Sequence, residues 1–480
     1  MPLASAFSRR SFFAIFLTTV VVLFLWLPPL FLYGSALSGF ASHAPSRLLG
    51  ALPHDSLSRF LFFNTVELGL LTALFALCLG VPVGIVGACG GRTVRQVSVV
   101  LCALPLALPP MQMATAWLEL SRTPPARSMA SLAAPIASAY PPILVTAMVL
   151  ALCFYPIPAL ATRAALLATP RGIEDAAALF GNRWLAFWYV WRPLLAPALL
   201  GAAGIVAALA MWEMGAPDLL DARTYSVQIY RDLNAADSLN AGGKATAAAL
   251  SSLPMLVLGI LFLWPAARAL RFYDELGASD EAASTVFQRK YAVGLAAKAR
   301  RFLLVAFATL VFIASPILPL VIFVSQLGSL RIFIDVWEAN SGELQNSVVL
   351  SSIAAVAITA VALMLVTAWR TLSRVWRTRA LLLCFAPFLL APVMTGIALI
   401  EWYNRPAFSL IYGGLAPTGN PTLDFFSDAF ARYAIVLIGY AARFLPLAVF
   451  LLYQARARIS PAPIEAAQNL GASDARATRG

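Results

Sequence analysis

The 480-residue chain is 61% hydrophobic and only 12% charged, with a mean hydropathy of +0.81. Soluble domains carry about a quarter of their residues as charges, so this composition excludes a soluble protein and indicates one that lives in a bilayer. The formal net charge of +12 would point to nucleic acid in a soluble chain; here it reads as a topology signal, and no nucleic-acid partner is expected.

The apolar runs are long and uncharged rather than weakly alternating, which argues for spanning helices and against a barrel. Ten spans are expected, over 12–33, 61–89, 97–118, 137–162, 190–213, 246–268, 302–324, 346–367, 380–402 and 433–454. With the N-terminus inside, cytoplasmic segments and the span ends beside them hold 23 Lys/Arg, against 10 on the other side. That asymmetry places the N-terminus in the cytoplasm.

Ser8-Arg9-Arg10 resembles a twin-arginine export signal. The run Phe12–Tyr33 is long enough to span and lacks a convincing cleavage site, so it reads as an uncleaved first span. The only histidines, His43 and His54, fall in the next loop without further ligands at metal-binding spacing. Cys78, Cys89, Cys102, Cys153 and Cys384 all lie in apolar segments and read as packing residues. Neither a metal site nor a cofactor is expected.

The second span opens with Asn64-Thr65, Glu67 close behind, and ends near Gly80-Val81-Pro82. The third holds Pro105, Pro109 and Pro110, which must kink or break the helix. The backbone groups they free must be satisfied by a neighbour or a watery cavity. Tyr155-Pro156 repeats the theme in the fourth span.

An internal loop, 163–189, follows. Thr169-Pro170 suits a helix start, with a capping hydroxyl and a proline at a position that needs no N–H. Glu174-Asp175-Ala176-Ala177 then leads to Gly181, placed where a helix end needs a left-handed residue. Trp191-Arg192-Pro193 enters the fifth span, which ends in Glu213-Met214-Gly215-Ala216-Pro217.

Residues 272–301 are polar, carry both charge signs and read as a cytoplasmic linker. Beyond them the pattern restarts. At an offset of 282, Asn346-Ser347 matches Asn64-Thr65, Pro387 and Pro392 match Pro105 and Pro110, and Glu401 matches Glu119. At an offset of 290, Pro446 matches Pro156 and Gly471 matches Gly181, so Ser460-Pro461 and Glu465-Ala466-Ala467 repeat the loop. The chain thus reads as an all-α polytopic membrane protein made of two parallel repeats of about six helices. The first covers 1–271; the second covers 302–480, holds four spans and ends inside its loop.

Together these residues resemble the fused, double-length permease subunits of binding-protein-dependent ABC importers, of the ferric iron and thiamine type. That family carries a cytoplasmic loop with Glu-Ala-Ala, three residues and Gly, then a Leu-Pro further on. The resemblance rests on the two loops, on Asn64-Thr65, Gly80-Val81-Pro82, Leu104-Pro105-Leu106 with Pro109, on 213–217, and on Arg443-Phe444-Leu445-Pro446. There are departures. Asp175 stands where the family has Glu, the Gly181-to-Pro193 spacing is one residue short, and no second Leu-Pro precedes Gly480. A longer relative is expected to add that Leu-Pro and two further spans.

The resemblance implies a solute importer of the bacterial inner membrane, moving ferric iron, thiamine, a polyamine or a similar solute delivered by a periplasmic binding protein. Glu174, Asp175, Ala176, Ala177, Gly181, Glu465, Ala466, Ala467 and Gly471 would form two coupling helices, each seated on one of two ATP-binding cassette subunits. The chain has no G-x-x-x-x-G-K-[ST] loop, so ATP hydrolysis belongs to those subunits and the chain is not itself an enzyme. Membrane lipid is the remaining partner. Two other classes compete: a secondary, ion-coupled transporter, which needs intramembrane acids or histidines, and a membrane-embedded transferase, which needs a catalytic cluster in a sizeable loop.

For the solute pathway the candidates are Arg443, Pro446, Pro156, Glu119, Glu401 and Glu213. Arg443 lies about ten residues from either end of its span, too deep to snorkel. Two readings are open, a fixed ion pair or carbonyl clamp between helices and a pathway residue facing an acidic or chelated solute. The glutamates either favour a cation or simply mark helix ends.

Overall fold

The computed structural model describes residues 9–41, 55–122, 141–167, 169, 179, 181–234, 241–276, 295–327, 329, 331–385, 387, 390, 392–403 and 421–457. Among them the chain is all helix. In order come α1 (Arg9–Ala41), α2 (Ser56–Cys89), α3 (Arg92–Ala107), α4 (Pro110–Arg122), α5 (Pro142–Phe154), α6 (Pro156–Leu167) and α7 (Arg192–Trp212). Then follow α8 (Tyr225–Asn234), α9 (Ala241–Leu276), α10 (Leu295–Phe312), α11 (Leu318–Ser325), α12 (Arg331–Ala368), α13 (Arg374–Phe385), α14 (Pro392–Tyr403) and α15 (Pro421–Ala457).

Six stretches are long and apolar enough to cross a membrane: Ser11–Leu37, Ser56–Cys89, Trp184–Trp212, Arg301–Ser325, Arg331–Thr371 and Tyr433–Tyr453. Two bent pairs raise the number to eight if each is one span. The expected ten is therefore not reached among the described residues. The expected sixth span falls in α9, whose apolar stretch Ala248–Phe262 is shorter. The expected ninth, 380–402, is divided between α13 and α14. Its proline positions explain the split: Pro387 has no N–H to continue α13, and Pro392 sits at the first position of α14. The linker expected over 272–301 starts inside α9 and meets α10 at Leu295, and 277–294 lie outside the described residues.

The two bends follow from the same chemistry. α3 and α4 meet at 89°. Leu108 between them is extended, at φ −85° and ψ 123°, as a residue before proline must be. α5 and α6 meet at 46°, at Tyr155-Pro156. α2 lies directly on α6, and two glycines make that approach possible. A Cβ on Gly80 would sit 2.5 Å from the Tyr155 carbonyl oxygen, and one on Gly84 would sit 2.4 Å from that of Ala159. Small residues one turn apart are the usual means of bringing membrane helices together.

Helices far apart in sequence pack on one another in both directions. α1 lies on α12, α13 and α14, as well as on α9. In return α10 lies on α2, and α11 lies on α4. Buried polar contacts tie the exchange. The Trp369 indole N–H donates to Thr18 Oγ1 at 2.8 Å, and that hydroxyl donates on to the Ala14 carbonyl at 2.7 Å. Tyr33 Oη and Ser252 Oγ are 2.8 Å apart. Around Trp369, a cluster of Ala14, Val21, Leu25, Ala362, Leu365, Leu445 and Val449 forms the core of this side. α12 is only half used, since no residue from Arg331 to Ile353 is buried.

Ser315 carries the other tie. It sits in a π-helical turn, Ile313–Ile317, between α10 and α11, and its hydroxyl donates to the Leu152 carbonyl at 2.6 Å. Leu152 lies four residues before Pro156, so its carbonyl has no N–H partner within the helix. Ser315→Ala is expected to leave that buried acceptor without its donor and to destabilise the fold by about 1–3 kcal/mol. The thermal unfolding midpoint in detergent measures this; a midpoint equal to that of the parent would show that the contact contributes nothing.

Candidate functional site

Proline breaks set up the interior. Pro156 frees the Leu152 carbonyl and Ser315 satisfies it. Pro387 lies four residues after Leu383, whose carbonyl accepts from the Trp26 indole N–H at 2.9 Å. In both cases the donor comes from a helix far away in sequence, Ser315 from the turn after α10 and Trp26 from α1. Pro156 and Pro446 are both buried. They differ in effect: α5 and α6 bend at Pro156, whereas α15 runs through Pro446 as one helix.

Glu213 caps the end of α7 with extended backbone, at φ −71° and ψ 133°. Its carboxylate accepts from the Gly215 N–H at 3.1 Å, where the chain turns into a five-residue helix, Gly215–Leu219. Met111 of α4 closes against the same turn. Arg443, from the middle of α15, lies within electrostatic range of Glu213. Cys153 of α5 also lies within range of that carboxylate. Two of the expected residues, from α7 and α15, are thus within electrostatic range of each other, and both are half-buried. The arrangement is a mixed-charge junction: a half-buried guanidinium gains from an opposite charge within electrostatic range, and Glu213 at the α7 end is one.

The other two glutamates stand apart from this junction. Glu119 accepts from Arg122 at 2.7 Å and from the Gln326 side-chain amide at 3.4 Å. Glu401 lies near the end of α14 and is half-buried. A shallow cleft of about 250 Å³ at the Ser56 end of α2 is lined by Leu61, Pro217, Asp221, Arg223, Gln228 and Arg231 among others. None of the expected pathway residues lines it.

In the loop, Gly181 adopts φ +61°, and a Cβ there would meet nothing within 4 Å. Glycine is required at this position by backbone conformation rather than by space. Thr169, buried, donates its hydroxyl back to the Ala165 carbonyl at 3.0 Å. Glu174, Asp175, Ala176, Ala177, Glu465, Ala466, Ala467 and Gly471 lie outside the described residues. His43 and His54 do so too, and among the described residues no cluster of three or more metal-ligating side chains occurs.

Sequence reasoning missed several working residues. Asn64 and Thr65 were legible as a repeated pair but not by role: Asn64 donates to the Arg223 carbonyl at 3.0 Å, and Thr65 Oγ1 accepts from the Tyr225 N–H at 2.8 Å. They pin the segment after Glu213 to α2. Ser226 adds a third tie, donating to the Glu213 carbonyl at 3.1 Å. Cys153 reads as packing from sequence, and only the fold brings it near Glu213. Nothing in the spacing of Ser315 or Trp26 announces partners 163 and 357 residues away.

No family model matches the chain, and no curated protein and no solved structure is similar to it. It is a helical, multi-span membrane protein.

Removing one partner of a partly buried charge pair leaves the other uncompensated. The stability losses of Arg443→Met and Glu213→Gln should therefore add to more than the loss in the double variant, with a coupling of about 0.5–3 kcal/mol. Unfolding of the four proteins in one detergent gives the cycle; strict additivity would show that the two groups do not interact.

Proposed function

We propose that the chain is the transmembrane permease subunit of an importer that takes a small solute from a periplasmic binding protein and is driven by two separate ATP-binding cassette subunits. It would sit in a bacterial inner membrane with its N-terminus in the cytoplasm. The observation that carries this reading is the recurrence of helix boundaries. α3 and α13 start at Arg92 and Arg374, 282 residues apart. α4 and α14 start at Pro110 and Pro392, and the helical stretches before α3 and α13 stop at Cys89 and Thr371, each again 282 apart. These are the same offset that relates Asn64 to Asn346 and Glu119 to Glu401 in sequence.

Two halves of one plan, each lending its first helix to the other, suit a transporter that works by rocking its halves about a central site. The Glu213–Arg443 junction lies where such a site belongs, between the end of α7 and the middle of α15. In this reading Glu174, Asp175 and Glu465 meet basic or N–H groups on the ATPases, while the alanines between them and Gly181 or Gly471 allow close approach. Arg443 faces an anionic or chelated group of the solute, with Pro156 and Pro446 allowing the flanking helices to flex.

A second reading draws on Glu213. A half-buried acid within electrostatic range of an arginine also suits an ion-coupled transporter. The two separate by energy source: ATPase copurification and vanadate-sensitive uptake support the first, and uptake abolished by a protonophore without any ATPase supports the second.

The coupling assignment makes a sharper demand. Valine does not tolerate the left-handed backbone of Gly181, so Gly181→Val should insert and fold normally yet lose at least about tenfold in ATP-dependent uptake, the effect of misplacing a contact by about 1.4 kcal/mol. Uptake in membrane vesicles at matched expression tests this, and undiminished transport would remove the loop from the mechanism.

A further inference from the structure

The helix that leads into α7 carries an unusual surface. It starts immediately after the Gly181 turn, where Asn182 Oδ1 accepts from the Trp184 N–H at 2.9 Å. A four-residue helical turn, Arg183–Ala186, passes into a π-helical turn, Phe187–Trp191, and then into α7. Trp184, Leu185, Phe187, Trp188 and Tyr189 are all exposed, Trp184 to 65% and Tyr189 to 69%. No residue of the π-helical turn is buried. The rings nevertheless order one another: Trp184 stacks on Phe187 at 6.3 Å and meets Trp188 edge-on at 5.5 Å. The Arg192 guanidinium lies 4.7 Å over the Trp188 ring.

Three observations say what covers this surface. The residues are the first turns of the continuous stretch Trp184–Trp212, which is itself long and apolar enough to span. Successive residues of a helix turn by about 100°, so positions 184, 185, 187, 188 and 189 spread over more than half of the circumference, and buried Ala186 marks the side that packs on the protein. An exposed face that broad matches a bilayer interface, which lies against every side the protein leaves open. Finally, Trp and Tyr, with apolar rings and polar edges, are the side chains that settle at headgroup level, and the arginine beside them adds positive charge.

We propose that this aromatic collar is seated in a bilayer interface and that Arg192, held over Trp188, takes the phosphate of an acidic phospholipid. Arg192 and the two indoles form one composite headgroup site. The chain after Gly181 is thereby fixed to the membrane surface, and the left-handed turn at Gly181 separates it from the preceding part of the loop. The inference does not depend on which energy source drives the protein.

The test uses the full-length chain in vesicles. Subtracting the emission of a Trp184→Phe/Trp188→Phe variant isolates the fluorescence of these two indoles among the eleven tryptophans; the single variants, taken separately, give the same measurement with less disturbance. Phosphatidylcholine brominated near its headgroup should quench that fraction more than aqueous iodide does. Brominated phosphatidylglycerol should quench it more than brominated phosphatidylcholine, and Arg192→Gln should bring this ratio to one. Stronger quenching by iodide would mean that the collar faces water or a soluble partner, and would overturn the proposal. A ratio of one in the unaltered protein, or a ratio that Arg192→Gln leaves unchanged, would overturn the acidic-lipid site.

Discussion

A carbonyl freed by proline inside a membrane must find a hydrogen-bond donor, because lipid offers none. Much of this architecture answers that requirement. Pro156 releases the Leu152 carbonyl and Ser315 takes it up; the Leu383 carbonyl, four residues before Pro387, is met by the indole of Trp26. Each donor sits on a helix far away in sequence from the carbonyl it meets. The breaks at Pro156 and Pro387 therefore do not merely coexist with the packing of α1 and α10 on distant helices; donors from those contacts satisfy them.

The packing of distant helices also gives partners to three of the buried polar residues. Thr18, Ser252 and Ser315 would each be a liability in an apolar helix, yet each has a partner across a helix contact: Trp369, Tyr33 and the Leu152 carbonyl. Asn64 and Thr65 serve a different purpose. They hold backbone rather than a neighbouring side chain, tethering Arg223 and Tyr225 so that Glu213 is presented from a fixed turn. A carboxylate held in this way can face Arg443 without the entropy loss that ordering a free loop would require.

Composition and periodicity made the class, the helical content and most span positions legible, because these depend on local apolarity. The proline breaks were legible too, since a missing N–H acts wherever it occurs: Pro105 to Pro110 became a right-angled bend, and Tyr155-Pro156 a shallower one. Span counting was less secure where the same prolines cut a run into helices too short to cross, as in α13 and α14. Gly181 was read as a left-handed residue and has φ +61°. What could not be read was contact across long separations. Arg443 was conspicuous by its depth and Glu213 by its position at a helix end, but their meeting depends on how α7 and α15 are placed by everything between them.

The sites in this chain differ in kind as well as in place. Glu213 and Arg443 are opposite charges within electrostatic range, Glu213 on a turn and Arg443 one turn before Pro446. The ties at Thr18 and Ser315 are neutral hydrogen bonds packed into apolar clusters. α1 is bonded to the turn after α12 through Trp369, and the turn after α10 is bonded to α5 through Ser315. Each tie joins helices far apart in sequence, and the α5–α6 bend at Pro156 is held from two sides, by Ser315 on the Leu152 carbonyl and by Gly80 of α2 against Tyr155.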